Sequence, residues 1–176
     1  ETWEDLMDYS RQIREATEGH FGIMFATGPD VSWWVYSFLV SKGVRYVARG
    51  EDGKWQAAFA TRDAAEAIYY VLRLVHEDFK TENGGTLSGV AFAPMGGGTE
   101  MRIKWSRGEI GMQFTYLSYD WAQDINPAMV GVAPVPAPPD GRAASELNCR
   151  MLGIFSGSSP EQQLGVMRYI WFLTSD

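Results

Sequence analysis

Apolar runs of strand length alternate with capped, amphipathic helical segments along all 176 residues, and no other feature narrows the fold as far. The first helix opens at Thr2, with Asp5 three residues on as a variant capping box and Glu4 and Asp5 at the positive end of the helix dipole. Trp3, Leu6, Ile13 and Ala16 share one face, and Gly19 ends the helix at about Glu18. Residues 21–26 read as a buried strand. Gly28-Pro29-Asp30 is a turn, and Asp30 is placed to cap a helix over residues 31–41. That helix is apolar nearly all round, which predicts burial. The runs at 44–47 and 55–59 flank Asp52-Gly53, a hairpin signal. Thr61 caps a helix running from 62 to about 80, with Ala65, Ile68, Leu72, Val75 and Phe79 as its apolar stripe.

The second half continues the alternation. Residues 81–98 are Gly-rich and irregular, 99–107 fit a short helix closed by Gly108, and 110–116 alternate as a strand. Residues 117–125 form a short helix or turn beginning near Ser118. Residues 129–135 read as a strand, and 134–142 as an exposed loop, because proline removes donors and fixes φ. Residues 147–155 return as a strand. Ser159, Pro160 and Gln162 then mark a helix start that runs to about Leu173. The pattern predicts a single α/β domain over residues 1–176, a mixed sheet flanked by helices.

Charge and cysteine usage exclude several functions. The chain carries 15 Lys and Arg against 22 Asp and Glu, a net charge of −7, with no basic cluster, so it repels phosphate backbones and anionic lipids. Nucleic acid is not an expected partner. Cys149 is the only cysteine, so no internal disulfide forms. No apolar run approaches the ~20 residues that span a bilayer. The chain opens directly into a helix, with neither initiator Met nor signal peptide, as the middle of a longer protein would.

Catalytic and metal signatures are missing from the sequence. His20 and His76 lie outside any zinc-ligand spacing. No nucleophile elbow occurs; Gly153-Ile154-Phe155-Ser156-Gly157 has the wrong spacing. Gly96-Gly97-Gly98-Thr99 lacks the lysine of a phosphate loop and follows no strand. Catalytic residues, cofactor and metal are therefore all expected to be none.

Two clusters remain. Asp30-Val31-Ser32-Trp33-Trp34 and Tyr116-Leu117-Ser118-Tyr119-Asp120-Trp121 each open a helix directly after a strand. Open α/β sheets bind ligands outside the carboxyl ends of their strands, where such loops gather. Indole and phenol rings offer platforms for the C–H faces of a polyol, and Asp and Ser accept from its hydroxyls. Because the second helix is so apolar, one of Trp33 and Trp34 must face inward. Three readings fit: a ligand-binding lobe, an α/β enzyme using Asp30, Asp120 or Glu109 as acid or base, and a protein-interaction domain with an aromatic surface patch.

Several segments, in order, resemble family 1 extracellular solute-binding proteins of ABC sugar importers, the group that includes maltose-binding protein. They are Thr2-Trp3-Glu4-Asp5-Leu6, Gly53-Lys54-Trp55 with the helix from Thr61, Arg107-Gly108-Glu109-Ile110-Gly111-Met112, Gly131-Val132-Ala133-Pro134-Val135-Pro136, and Ser158-Ser159-Pro160-Glu161 through Phe172-Leu173-Thr174-Ser175. Each motif is loose; their succession is specific. The resemblance implies a periplasmic-binding-protein type II lobe, most of the C-terminal lobe of a clamshell, with no catalysis. It implies a sugar or oligosaccharide ligand, an importer permease as partner, and an extracellular or periplasmic, lipid-tethered full-length protein. Tyr119 would stack on the ligand, with Asp30, Trp33, Trp34, Asp120 and Trp121 beside it. Asn148 and Arg150 would hydrogen-bond near the cleft or hinge. The helix over 159–176 would pack on the N-terminal lobe of the same protein.

Overall fold

The structure, a computed structural model, describes residues 1–96, 98–114, 127–145 and 152–175. Helix α1 (Trp3–Ala16) begins with the expected reciprocal cap. Thr2 Oγ1 accepts the Asp5 N–H at 3.2 Å, and Asp5 Oδ2 accepts the Thr2 N–H at 2.7 Å, which holds the Asp5 carboxyl below the usual carboxylate range. The buried face is Trp3, Leu6, Met7 and Ser10, so it lies nearer the helix start than the predicted stripe.

Strand β1 (Phe21–Met24) is followed by a 3-10 turn (Gly28–Asp30) and helix α2 (Val31–Ser41). Strands β2 (Val47–Arg49) and β3 (Trp55–Ala57) pair antiparallel across the predicted Asp52-Gly53 turn. Helix α3 (Arg62–His76) takes its cap from Thr61 Oγ1, which accepts the Ala64 N–H at 3.2 Å. Strands β4 (Asp78–Lys80) and β5 (Thr86–Ser88) form a second hairpin. Strand β6 (Ala91–Phe92), helix α4 (Gly98–Ser106), strand β7 (Ile110–Gln113), a 3-10 turn (Pro127–Met129) and helix α5 (Pro160–Thr174) follow among the described residues.

The central sheet has the order β6-β1-β7, with both pairings parallel. Ile23 faces Ala91 on one side and Met112 on the other. The α/β class holds, and among the described residues the antiparallel pairing lies in the two hairpins. Helix α1 lies against this sheet because Gly22 and Gly111 leave room for it. A Cβ at Gly22 would stand 2.2 Å from Ser10 Cα, and one at Gly111 would stand 2.4 Å from Ile13 Cδ1.

Helix α3 ends four residues before the predicted limit and is rotated from the predicted stripe. Its buried residues are Ala64, Ala67, Tyr70, Val71 and Leu74, whereas Ala65, Ile68 and Leu72 are exposed. The helix is apolar on two adjacent faces, and Tyr70 selects between them: its hydroxyl donates to the Trp3 carbonyl, and its ring stacks on Trp3 at 4.5 Å. Burial pushes the Tyr70 hydroxyl pKa up. The incoming chain stops the helix. Val90 N–H donates to the Leu74 carbonyl at 2.8 Å, and Gly89 N–H to the Glu77 carbonyl at 3.0 Å.

The predicted strand over 129–135 is not formed; Pro134 and Pro136 withhold ladder donors, and the chain runs irregularly from residue 130. The loop that follows is less exposed than predicted. Pro136 and Pro138 are buried, and Ala137 pairs with the N-terminus, donating to the Glu1 carbonyl at 3.1 Å and accepting the Trp3 N–H at 3.0 Å. The predicted helix over 117–125 lies outside the described residues. So does most of the predicted strand at 147–155, and residues 152–155 carry no regular structure.

The core is a run of aromatic rings: Trp3, Tyr70, Phe38, Phe114, Phe25 and Trp34, with successive centroids 4.5 to 6.5 Å apart. It extends from the start of α1 to the start of α2. The chain divides into two compact units, Glu1–Glu146 and Leu147–Asp176. In the second, Ser159 and Gln162 form the predicted capping box, and Gln163 Nε2 donates to the Ser156 and Ser158 carbonyls at 3.3 and 3.0 Å. None of the α5 residues is buried. Among the described residues, no helix is long and apolar enough to cross a membrane.

Candidate functional site at the carboxyl edge of the sheet

Parallel strands deliver all their carboxyl ends to one edge, so the residues after β1, β6 and β7 gather there. After β1 the chain stays buried through Phe25 and Ala26 and reaches Thr27. Thr27 ties two of the loops together. Its N–H and its hydroxyl both donate to the Pro94 carbonyl, at 3.1 and 3.0 Å, and Thr27 pairs with Met95 in a parallel bridge. The loop after β6 is therefore fixed against the loop after β1.

Helix α2 starts at this edge. Only its second half is buried, through Phe38, Leu39 and Ser41, which corrects the prediction of a wholly buried helix. In its first turn Val31 and Ser32 are exposed, and Trp33 is 53% exposed. The two tryptophans separate as helical geometry requires, since adjacent residues point about 100° apart. Trp34 is half-buried, packs on the core and meets Phe25 edge-to-face at 6.4 Å. Trp33 is the exposed one of the pair. Asp30 has its backbone in the 3-10 turn that leads into α2, directly at the rim.

Tyr119, Asp120, Trp121, Asn148 and Arg150 lie outside the described residues. The segment carrying the first three continues from the carboxyl end of β7. Two residues at this edge were not singled out from sequence. Gln113 closes β7, and its Oε1 is buried with no hydrogen-bond partner among the described residues. Met95 is 87% exposed although its loop is anchored. A two-residue strand such as β6 has too little periodicity to announce the loop behind it.

The two described loops of the rim carry a single charge. From Phe25 to Ser41 the only charged residue is Asp30, and from Val90 to Thr99 there is none. The nearest cation along α2, Lys42, sits at the far end of the helix. There its side chain is 5% exposed, and Nζ donates to Asp140 at 2.7 and 2.8 Å and to Glu66 at 2.9 Å. The hydrogen bonds to Asp140 and Glu66 raise the Lys42 pKa against the cost of its desolvation, and they lower both carboxylates.

An acid–base pair of Asp30 with Glu109 is excluded by the topology. Glu109 precedes β7 and so lies at the amino edge of the sheet, opposite Asp30. It is held there by Lys104 at 2.7 Å and Arg107 at 3.8 Å, and the Lys104 hydrogen bond keeps its carboxyl below the usual range. Among the described residues, no three His, Cys, Asp or Glu side chains are grouped to hold a metal.

A sequence model of the family described as "Bacterial extracellular solute-binding protein" matches residues 1–176. Among solved structures, the chain is similar to one titled "Maltose bound T. maritima MalE3", with 26% identity and a TM-score of 0.70 over 99% of this chain. It spans 43% of the length of that structure. No curated protein sequence matches it.

Proposed function

The chain belongs to the bacterial extracellular solute-binding protein family, and from that premise we propose that it is the substrate-binding component of an ABC importer, forming one wall of a cleft that closes on a carbohydrate. The family is one of binding rather than catalysis. One observation carries the sugar reading: a rim at the carboxyl edge of a parallel sheet whose described loops carry Asp30 as their one charged residue and leave Trp33 53% exposed at the start of an apolar helix. A neutral polyol needs that combination of a flat apolar platform and nearby hydroxyl partners. The likeness to a structure solved with maltose bound supports the same class.

In this reading Trp33 stacks on a pyranose face, and Asp30 accepts from ring hydroxyls. Trp34 holds the α2 turn in place from within the core. Tyr119, Asp120 and Trp121 supply further stacking and acceptors, and Asn148 and Arg150 supply hydrogen bonds. The second wall comes from the N-terminal lobe of the same protein, on which the helix over 159–176 packs, and the closed clamshell delivers its solute to a permease. The protein works outside the cytoplasmic membrane, tethered by a lipid anchor.

One wall makes about half the contacts of a closed cleft while most of the cost of ordering the ligand remains. The 176-residue chain is therefore expected to bind sugar weakly. Titration calorimetry against maltose and longer neutral oligosaccharides checks this; sub-micromolar affinity in this chain alone would contradict the one-wall assignment.

A further inference from the structure

Met95 is the most exposed of the large apolar side chains in the described residues, at 87%, yet its backbone is bridged to Thr27. It pairs with Thr27, follows a carbonyl that accepts two hydrogen bonds from Thr27, and is followed by Gly96, whose N–H reaches the Thr27 carbonyl at 3.5 Å. Its side chain lies alongside the turn into α2, with Met95 Cγ 3.7 Å from where a Cβ on Gly28 would stand. Five residues beyond Gly28, Trp33 is exposed on the first turn of α2. The protein thus holds a flexible, polarizable thioether in water at the same edge as its exposed indole.

We infer that Met95 is a ligand-contact residue, the β6-side lip of the binding wall, which lies along the C–H face of the bound sugar and sets how far along the chain of an oligosaccharide the wall reaches. The inference rests on the sugar-binding reading above. It follows from the chemistry of the side chain: an unbranched thioether adapts to irregular apolar surfaces, whereas it offers a hydroxyl almost nothing. It follows also from position, since the Thr27 bridge fixes where along the rim the side chain starts. The stretches from Phe25 to Ser41 and from Val90 to Thr99, which form the two described loops of this rim, contain no Lys or Arg to attract an anionic ligand instead.

The test is a titration of the 176-residue chain, labelled with carbon-13 at its methionine methyls, with maltose and with maltotriose to millimolar concentration. Met95→Leu assigns the signal, and the core residues Met24 and Met101, at 0% and 1% exposure, are internal references. The expected result is a saturable shift of the Met95 methyl with unmoved Met24 and Met101 signals. Met95→Ala should weaken maltotriose binding about five-fold, the effect of uncovering part of one apolar side chain. Because Met95 is outside the core, Met95→Ala should leave the thermal midpoint in place. Saturable changes at tryptophan fluorescence with an unmoved Met95 signal and unchanged affinity in Met95→Ala would overturn this inference and leave the sugar reading standing. No saturable change in either probe would overturn both.

Discussion

At Gly22 one methyl group decides how close α1 can lie to the sheet. Gly22→Ala would drive a Cβ into the Ser10 backbone, so we expect it to cost about 2 kcal/mol or more, seen as a lower urea midpoint. The opposing residue behaves differently. Ser10 is 0% exposed, and its Oγ has no hydrogen-bond partner among the described residues, so Ser10→Ala removes a stranded hydroxyl and is expected to be neutral or stabilising by up to ~1 kcal/mol. The adjacent tryptophans give a second contrast. Trp34→Ala should cost roughly 2–3 kcal/mol, because it empties a place against Phe25, with any loss of sugar binding secondary to that. Trp33→Ala should change stability by less than about 0.5 kcal/mol, since the ring is half in water, while sugar affinity falls.

Among the elements, α2 and α3 are joined by the buried Lys42 ammonium, which hydrogen-bonds Glu66 on α3 and Asp140 on the proline-rich loop and lies 3.8 Å from Asp63 on α3. Glu66 and Asp140 have folded pKa values below their ordinary ones, so their contribution is present above those ordinary values and is lost as pH falls through the folded ones. Lys42 is raised, so its contribution is present below its ordinary value and is lost only as pH rises through the folded one. The cluster therefore stabilises across the neutral range. Thermal melts should show the native chain above Lys42→Met at pH 7 and the gap closing below about pH 4. A gap independent of pH would contradict this assignment. The starts of α1, α3 and α5 were legible in sequence because Thr2, Thr61 and Ser159 cap over three residues, a purely local exchange. The end of α3 was not, because donors from Val90 and Gly89 impose it from outside the helix. Nor was its buried face, which a distant hydroxyl bond to the Trp3 carbonyl selects.

For the whole molecule, the order of strand, turn and helix placed the Asp30 to Trp34 segment at the sheet's carboxyl edge from sequence alone, because topology follows from the succession of elements. Which tryptophan faces outward, and the presence of Met95 at the same rim, depended on packing and on the Thr27 bridge, neither of which has a local signature. In the proposed function this rim is a wall for a neutral sugar. Titration calorimetry of the native chain and Trp33→Ala against maltose and longer neutral oligosaccharides tests it most directly. Saturable binding weaker than micromolar is expected, which Trp33→Ala reduces about ten-fold or more with an unchanged thermal midpoint. Heats that never saturate with any sugar, or equal affinities for the two proteins, would contradict it.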